Sequence, residues 1–339
     1  MLRISPHTKG ERLTTTNLFR IEPAGSEFNV AANLSSLGEQ VAFMSKISNT
    51  QAFKEIILSY MRKYNIDTSY ISFSNKRIGI FWTDIGVGPR PYTVIYDRDF
   101  TSFLDYSLDD IDIKKLKKQA KWFHTSGITP SLCRRIAHFT ENLLEKINKT
   151  VSVSIDLNHR NKLWKWVNSK SEIKDVMMNI CRYAELLIGN ETDFHNSFDL
   201  DFPPQQRLEI DDYFKMVKFI FSLFPNLKYI ALGCRKQFSA SDMLWRGFFF
   251  YRKRKNKVEG VDSMSIRIDN VIDRIGVGDA FTAGIIYGLL SFPSQFDLII
   301  NFATTLSALK YTVKGDIAGF SKEEVMRVYN TKFSALIDR

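Results

Sequence analysis

Short apolar runs and amphipathic segments alternate along most of the chain, and the alternation becomes regular after about residue 107. Beyond that point, runs with strand character alternate with segments whose apolar residues recur at helical spacing. The predicted strands are 122–127, 151–158, 185–190 and 227–234, and the predicted helices are 108–121, 131–148, 172–183 and 205–224. This alternation indicates right-handed βαβ units, so we expect a mainly parallel central sheet with helices on both faces.

The two ends of the chain extend this pattern. Towards the N-terminus it predicts helices at 29–37 and 52–65 and a strand at 41–47. Towards the C-terminus it predicts strands at 243–253 and 263–268, then helices at 279–290, about 294–313 and 321–329. There are no internal repeats and no low-complexity linkers, so we expect residues 1–339 to form one large α/β domain.

One part of the chain departs from the alternation. Two extended runs, 77–85 and 91–100, are joined by Gly-Val-Gly-Pro-Arg without an intervening helix, which predicts a β-hairpin. We expect this hairpin, within residues 75–100, to form a small β-sheet appendage together with residues 11–24. Because a two-stranded ribbon buries little by itself, we expect its apolar side chains to be exposed. They are Phe81, Trp82, Tyr92, Ile95 and Tyr96.

Composition narrows the class of protein. The chain has 339 residues, of which 44% are hydrophobic and 13% aromatic, so it can bury a sizeable core. Its three cysteines are far apart, which argues against disulfides and a zinc site and for a reducing compartment, the cytoplasm. The first twenty residues lack an apolar stretch, and no run approaches the ~18 apolar residues of a membrane span. We therefore expect neither a signal peptide nor a membrane span.

The formal net charge is +10, and two basic clusters at 114–121 and 251–257 contribute much of it. Such clusters suit either nucleic-acid binding or a solvated helix face. No aromatic-interleaved binding motif accompanies the charge, so we favour the solvated face and expect no nucleic-acid partner. A basic surface also suits anionic small molecules.

Polar segments follow several predicted strands. In open parallel sheets, ligands bind beyond the carboxyl ends of the strands. The segments at those ends are 124–127, 156–164, 189–193 and 233–235. Each could be an ordinary loop, but their combined placement at one edge predicts a binding site there.

The most informative stretch is 273–290, Asp-Arg-Ile-Gly-Val-Gly-Asp followed by an apolar helical segment. Glycines before a helix N-terminus allow an anion to approach the unpaired N–H groups. Asp279, in the first turn, could accept a proton from an attacking hydroxyl, as phosphoryl transfer requires. Taken alone, the motif fits a simple helix-capping acid, with glycines that only allow tight packing, better than it fits a catalytic site. It is neither a Walker A loop nor a dinucleotide-binding fingerprint.

The same stretch resembles the C-terminal signature of the PfkB, or ribokinase-like, carbohydrate kinases. A second family signature corresponds to 24–38, and the ordered segments most resemble the 2-keto-3-deoxygluconate kinases of that family. The segments are 88–98, 154–164, 189–194, 239–245 and 308–316. The resemblance spans essentially residues 1–330. It implies a three-layer α/β sandwich with a β-sheet lid, ATP and Mg²⁺ as cofactors, a small sugar or sugar acid as substrate, and a homodimer paired through the lid.

The resemblance also implies roles for individual residues. The catalytic base would be Asp279, with Gly276, Val277 and Gly278 as a backbone anion hole. The sugar acid would contact Gly25, Ser26, Asn29, Tyr96, Arg98 and Arg160. The nucleotide and its phosphates would contact Asn158, His159, Asn190, Gly233, Arg235, Asn301, Ala308 and Lys310, and Mg²⁺ would be tied to Asp193. A guanidinium such as that of Arg160 suits carboxylate and phosphate oxygens on chemical grounds as well.

Three features differ from the family pattern. Ala24 replaces the first glycine of a glycine pair, Asp193 replaces a glutamate, and the sequence starts within what would be the family's first strand.

Four functions stay open at this point: a kinase for 2-keto-3-deoxygluconate, a kinase for a neutral sugar such as fructose or ribose, a catalytically weak sugar-binding homologue, and a basic nucleic-acid-binding protein. The first is favoured, because Arg98 and Arg160 suit a sugar carboxylate.

Overall fold

A computed structural model describes residues 1–201, 208–253 and 257–333. Thirteen strands lie within these ranges: β1 Leu2–Pro6, β2 Phe19–Pro23, β3 Ser45–Ser48, β4 Ile71–Ser74, β5 Ile80–Asp84, β6 Thr93–Asp97, β7 Trp122–Ser126, β8 Ser152–Asp156, β9 Leu186–Gly189, β10 Tyr229–Gln237, β11 Met243–Arg252, β12 Val258–Asp262 and β13 Ile266–Ile268. They form a seven-stranded main sheet, a four-stranded small sheet and a separate β3–β4 pair.

Eleven α-helices lie in the same ranges: α1 Ser26–Ser36, α2 Gln51–Lys63, α3 Ile113–Gln119, α4 Ile128–Ser131, α5 Arg134–Ile147, α6 Lys170–Cys181, α7 Glu191–Phe198, α8 Phe214–Leu223, α9 Val277–Ser291, α10 Phe296–Lys310 and α11 Lys322–Asn330. No helix within these described ranges is long and apolar enough to cross a bilayer. The three cysteines, Cys133, Cys181 and Cys234, are free thiols.

The main sheet has the order β12-β11-β10-β9-β8-β7, with β13 beside β11. Strands β7 to β10 are parallel, whereas β11 pairs antiparallel with its neighbours. Successive side chains of a strand point to opposite faces. Accordingly, Leu187 joins the core formed with α5, α6 and α8, while Leu186 and Ile188 join the core formed with α1, α9 and α10. The sheet is therefore the middle layer of three.

The small sheet has the order β2-β1-β5-β6. It contains the expected hairpin, because β5 and β6 pair antiparallel, and it contains β2 from the expected segment 11–24. Strand β1 lies between β2 and β5, so residues before position 11 also belong to this sheet. Phe81 of β5 is buried, contrary to the expected exposure, whereas Ile95 of β6 is 53% exposed. The reason is that the second pair of strands turns the ribbon into a sheet with an inner and an outer face.

Several element boundaries differ from the sequence-based expectations. The strand expected at 41–47 begins only at Ser45 and pairs with β4 alone. The helix expected at 108–121 begins only at Ile113, after a short 3₁₀ turn with a capping box. Strand β12 was not predicted. The start of the helix expected at 205–224 and the middle of the basic cluster 251–257 lie outside the described residues.

Candidate active site

A cleft of about 630 Å³ lies where the carboxyl ends of β8 and β9 meet the N-terminus of α9 and the inner face of the small sheet. Its lining includes most of the residues that the sequence singled out. These are Gly25, Ser26, Asn29, Tyr96, Arg98, Asn158, His159, Arg160, Asn190, Asp193, Gly233, Arg235, Gly276, Val277, Gly278 and Asp279. Folding thus brings residues from the whole length of the chain to the edge where a parallel sheet binds ligands.

The turn before α9 has a backbone that only glycine adopts easily. Gly276 has φ +85°, and a Cβ there would lie 1.8 Å from the carbonyl oxygen of Asp316. Within the described chain, no side chain caps the helix at Gly276. The first N–H groups of a helix have no intrahelical partner, and they carry its positive dipole end. The N-terminus of α9 therefore presents free backbone donors to the cleft.

Asp279 lies in the first turn of α9, beside the N-terminus of α1. Its Oδ1 accepts a hydrogen bond of 2.7 Å from the hydroxyl of Ser26, and its Oδ2 accepts one of 2.7 Å from the side-chain amide of Asn29. Burial raises the pKa of this carboxyl to about 6, although both hydrogen bonds act to lower it. Near neutral pH, Asp279 is thus an oriented carboxylate that can take a proton.

A second buried carboxyl, that of Asp156, lies at the end of β8. Burial raises its pKa well above the usual range, and the charges of Asp193 and Asp279 raise it further. The adjacent Asn158 has φ +36° and donates 3.0 Å to the hydroxyl of Ser26, so it links this carboxyl to Asp279. Asp156 was not among the site residues predicted from the sequence. The sequence did offer one indication of its role, because Asp156 is a charged residue at the end of the run of alternating apolar residues that forms β8.

Helix α7 begins at the same cleft with a closed N-terminus. The side chain of Asn190 accepts from the N–H of Asp193 at 3.0 Å, and the Asp193 carboxylate accepts from the N–H of Asn190 at 3.0 Å. The other oxygen of Asp193 accepts from the N–H of His159 at 3.0 Å and lies 4.0 Å from the guanidinium of Arg160. Asp193 therefore ties α7 to the loop after β8.

The small sheet contributes Tyr96 and Arg98 to the opposite wall of the cleft. Burial lowers the pKa of the Arg98 guanidinium, while the nearby Glu27 and Tyr96 raise it. Within the described residues, no carboxylate pairs with Arg98. Glu27 instead accepts from the hydroxyls of Ser126 and Thr129. Arg98 is thus a partly desolvated cation facing the cleft.

Beneath the α9 turn lies a buried charge cluster that the sequence analysis missed. Arg3 of β1 lies 2.6 Å from Asp273 and 2.5 Å from Asp316, and all three side chains are buried. Asp273 in turn accepts from the N–H of Ile275 at 3.1 Å, next to Gly276. The cluster joins the small sheet to both loops that shape the turn. Nothing in local sequence spacing reveals a contact between positions 3 and 316.

Three residues expected on the nucleotide side do not line the cleft: Asn301, Ala308 and Lys310. Asn301 bridges the N–H of Met264 and its own helix. Ala308 is buried in the core of α10. Lys310 is fully buried, and its ammonium donates to the carbonyl oxygens of Asp273 at 3.1 Å and Val313 at 3.2 Å. Ala308 and Lys310 are buried because α10 packs along α9, whereas Asn301 is half-buried beside Met264.

The chain is similar in sequence and fold to known proteins. The profile described as pfkB family carbohydrate kinase matches residues 3–218. The structure of 2-dehydro-3-deoxygluconokinase from Thermotoga maritima is similar, with a TM-score of 0.87 and 32% identity over 97% of each chain. The 2-dehydro-3-deoxygalactonokinase of Haloferax volcanii is 27% identical over 97% of this chain and 93% of its own. The 2-dehydro-3-deoxygluconokinase of Bacillus subtilis is 25% identical over 89% of this chain and 84% of its own.

The family match covers more than half of the chain, and the similar structure covers nearly all of it. Structures named as ribokinase and fructokinase have the same architecture at lower identity, with TM-scores of 0.75 and 0.76. The chain is therefore a member of the PfkB family of carbohydrate kinases with a ribokinase-like α/β fold.

Proposed function

We propose that this carbohydrate kinase transfers the γ-phosphoryl group of ATP to the primary hydroxyl of 2-keto-3-deoxygluconate. The observation that carries the proposal is the placement of Asp279. Its carboxylate is held by Ser26 and Asn29 directly beside the open N-terminus of α9. A base and an anion site side by side are what phosphoryl transfer to an alcohol needs.

In the proposed reaction, Asp279 accepts the proton of the attacking hydroxyl while the oxygen bonds to the γ-phosphorus. The bond from that phosphorus to the bridging oxygen breaks, and ADP leaves. The N–H groups of Val277 and Gly278 stabilise the charge that collects on the transferring group. Ser26 and Asn29 orient the carboxylate, so the base needs no rearrangement before the transfer.

The acid group of the substrate would be bound by arginines. Arg98 directly follows β6 of the small sheet and Arg160 follows β8, and both line the cleft. A carboxylate offers two oxygens that match the guanidinium fork, whereas a neutral ketose has no such group. Arg98 is also partly desolvated, which strengthens its attraction for an anion.

The nucleotide would lie on the side of Gly233 and Arg235, with its phosphates at the α9 turn. Mg²⁺ would neutralise phosphate charge during transfer, as it does for most such reactions. Among the described residues, no group of three or more His, Cys, Asp or Glu side chains is arranged as a metal site. Mg²⁺ usually takes only one or two carboxylates and otherwise water and phosphate. The neighbouring carboxyls of Asp156 and Asp193 fit that requirement.

The small sheet would act as a lid and as a dimer interface. Its outer face aligns Ile21, Ile4, Trp82 and Ile95 across the four strands. Ile21 and Ile95 are 48% and 53% exposed, and Phe19 beside them is 40% exposed. Such a row of apolar side chains favours pairing with a second copy. Light scattering should give twice 39.2 kDa for the native chain and a monomer for Ile95→Asp.

The free thiols of Cys133, Cys181 and Cys234 support a reducing location, and we place the enzyme in the cytoplasm. Fractionation of the source cells would test that placement.

A second candidate substrate is 2-keto-3-deoxygalactonate. The similar protein of Haloferax volcanii bears the name of a kinase for that compound. The two acids differ only in the configuration at one carbon, so the same arginines would bind either carboxylate.

A coupled ADP-release assay tests these assignments on 2-keto-3-deoxygluconate, 2-keto-3-deoxygalactonate, fructose and ribose. We expect turnover of a keto-deoxy acid and little turnover of the neutral sugars. Arg98→Ala should lower kcat/KM for the acid at least ~30-fold, since a lost charged partner costs about 2 kcal/mol or more. The matched variant Arg235→Ala should instead raise KM for ATP. Equal losses from Arg98→Ala on acid and neutral sugars would contradict carboxylate binding.

A further inference from the structure

Lys310, the last residue of α10, carries an ammonium group that has no part in the proposed reaction. The residue is fully buried, and its Nζ atom donates to the carbonyl oxygens of Asp273 at 3.1 Å and Val313 at 3.2 Å. A buried ammonium loses its hydration, and partners inside the protein must compensate for that loss. Because an apolar residue would avoid this cost, the ammonium indicates a role beyond stability.

The two carbonyl groups belong to the two segments that shape the α9 turn. Asp273 lies in the segment that leads into Gly276, and Val313 lies in the loop that follows α10. That loop continues to Asp316, whose carbonyl oxygen would lie 1.8 Å from a Cβ at Gly276. The side chain of Lys310 thus joins the chain that enters the turn to the chain that supports it.

Further hydrogen bonds connect the same two segments. The N–H of Ile272 donates to the carbonyl of Tyr311 at 2.8 Å, and the N–H of Gly315 donates to the carboxylate of Asp273 at 3.3 Å. The same carboxylate accepts from the N–H of Ile275 at 3.1 Å. A shift of the Asp273 backbone would therefore displace the first N–H groups of α9.

The charges beneath the turn balance when the ammonium of Lys310 is counted with them. The buried cluster contains two carboxylates, Asp273 and Asp316, and the guanidinium of Arg3. Burial lowers the pKa of Lys310, whereas the charges of Asp273 and Asp316 raise it. Without the ammonium, this cluster would have an excess negative charge directly below the site proposed for the phosphates of ATP. Such a charge would repel them.

We propose that Lys310 is a positioning residue for phosphoryl transfer: its ammonium holds the α9 turn in place and offsets the carboxylates beneath the anion site. Lys310 does not line the cleft, so it acts through the N–H groups of Val277 and Gly278 and not on the nucleotide itself. The inference rests on the proposed role of the α9 turn, and it is independent of which sugar is phosphorylated.

Two variants separate the charge of Lys310 from the space that it fills. Lys310→Met keeps an unbranched side chain of similar length without the charge, and Lys310→Ala removes both the charge and most of the volume. We expect Lys310→Met to lower kcat at least ~10-fold, since a displaced turn aligns poorly with the transferring group. KM for the sugar should change less than about twofold, because the sugar side of the cleft keeps its contacts.

Lys310→Ala leaves the two carbonyl oxygens facing a cavity that can admit a free ammonium ion. We expect ammonium chloride to raise both the kcat and the Tm of this variant, with a gain in kcat of at least ~5-fold. Tetramethylammonium chloride at the same ionic strength should do neither, because its cation is too large and has no N–H donor. In Lys310→Met the side chain fills the space, so neither salt should restore activity. Folding of Lys310→Ala only in ammonium would support the proposal equally.

Lys314→Met is the matched control, because Lys314 lies in the same loop and its ammonium also donates to a backbone carbonyl, that of His7. Lys314 is half-buried and lies outside the charge cluster, so the variant should keep the native kcat. Two results would overturn the proposal. One is a kcat within about twofold of native for Lys310→Met. The other is a loss of activity in Lys310→Ala that ammonium does not restore.

Calorimetric titration with ATP and Mg²⁺ gives a readout that needs no sugar. If the native chain phosphorylates none of the sugars, the proposed substrate is wrong, and this titration then decides the role of Lys310. At least ~3-fold weaker ATP binding by Lys310→Met would support that role, and unchanged binding would contradict it.

Discussion

Helices α7 and α9 both begin at the same cleft, and their N-termini are built in opposite ways. Helix α7 is closed by its own side chains, because Asn190 and Asp193 form a reciprocal capping box. Helix α9 follows Gly276 in a left-handed conformation, and no side chain within the described residues caps it there. Both helices carry the same dipole. Of these two helices, α9 is the one that leaves its first N–H groups for a ligand, so the anion site depends on the cap and not on the dipole alone.

The contrast extends to the carboxylates. Asp193 binds two backbone N–H groups and thereby serves the structure of α7 and the neighbouring loop. Asp279 binds only side chains, those of Ser26 and Asn29. Its helix retains free backbone donors beside it. The first aspartate thus maintains a loop, and the second is available for proton transfer.

The largest expected effect is that of Asp279→Asn. The amide keeps the shape of the side chain but cannot accept the proton, so kcat should fall at least ~100-fold. Steady-state kinetics measure the loss, and unchanged KM for ATP shows that the anion site is intact. Asp193→Asn serves as the comparison: it should weaken the binding of Mg²⁺ with ATP, and it should lower kcat less than Asp279→Asn does. Near-full turnover by Asp279→Asn would make Asp279 a helix cap like its counterpart in α7.

The second effect separates the two glycines of the α9 turn. Gly276→Ala places a methyl group 1.8 Å from the Asp316 carbonyl at a positive φ, and we expect a loss of at least ~2 kcal/mol in unfolding free energy. Gly278→Ala meets no protein atom within 4 Å. It should leave stability nearly unchanged and raise KM for ATP, because its methyl group occupies the ligand side. Denaturant unfolding measures the stability of both variants, and steady-state kinetics measure their KM for ATP. Equal destabilisation by the two substitutions would contradict the different roles predicted for the two glycines.

The third prediction concerns pH. The raised pKa of Asp279, about 6, means that protonation removes the base as the pH falls. We expect kcat/KM to be level above this pKa and to fall about tenfold per unit well below it. The hydroxyl of Ser26 lowers that pKa, so Ser26→Ala should move the inflection upward by about one unit. An unmoved inflection would assign the titration to another group.

The smallest effect is expected at the closed helix. Asn190→Ala removes the side-chain cap of α7 and should lower the unfolding free energy by about 1 kcal/mol. Because this N-terminus is satisfied by its own residues, kcat should stay within about threefold of the native value. Thermal unfolding and the ADP-release assay measure the two quantities. A large loss of kcat with unchanged stability would show that α7 also contributes to the anion site.

Much of the fold could be predicted because its signals are local. Strands β7 to β10 and their helices follow directly from the apolar spacing, and the hairpin of β5 and β6 follows from two extended runs around glycines. Boundaries were less accurate where tertiary partners decide them. Strand β3 is shortened to the residues that can pair with β4, and β12 exists because β11 offers its edge.

The candidate site could be predicted only in part. The glycine turn and Asp279 carry a local signature, and the resemblance added residues such as Asn158 and Arg98. The charges beneath the turn carry no local signal, because Arg3 meets Asp273 and Asp316 across almost the whole chain. Lys310 shows the converse: its place on the last long helix suggested the nucleotide, but packing turned its ammonium towards backbone carbonyls.

The sequence by itself determined the α/β alternation, the glycine turn before an apolar helix and the carboxylate in its first turn, since each depends on neighbouring residues. Only the tertiary structure decided which helix N-terminus stays open and which carboxylate is free to act. Those properties depend on partners far away in the chain, such as Ser26 for Asp279. Tertiary packing also sets the chemistry of Asp279. Desolvation raises the pKa of its carboxyl, and the side chains of α1 hold the carboxylate in place.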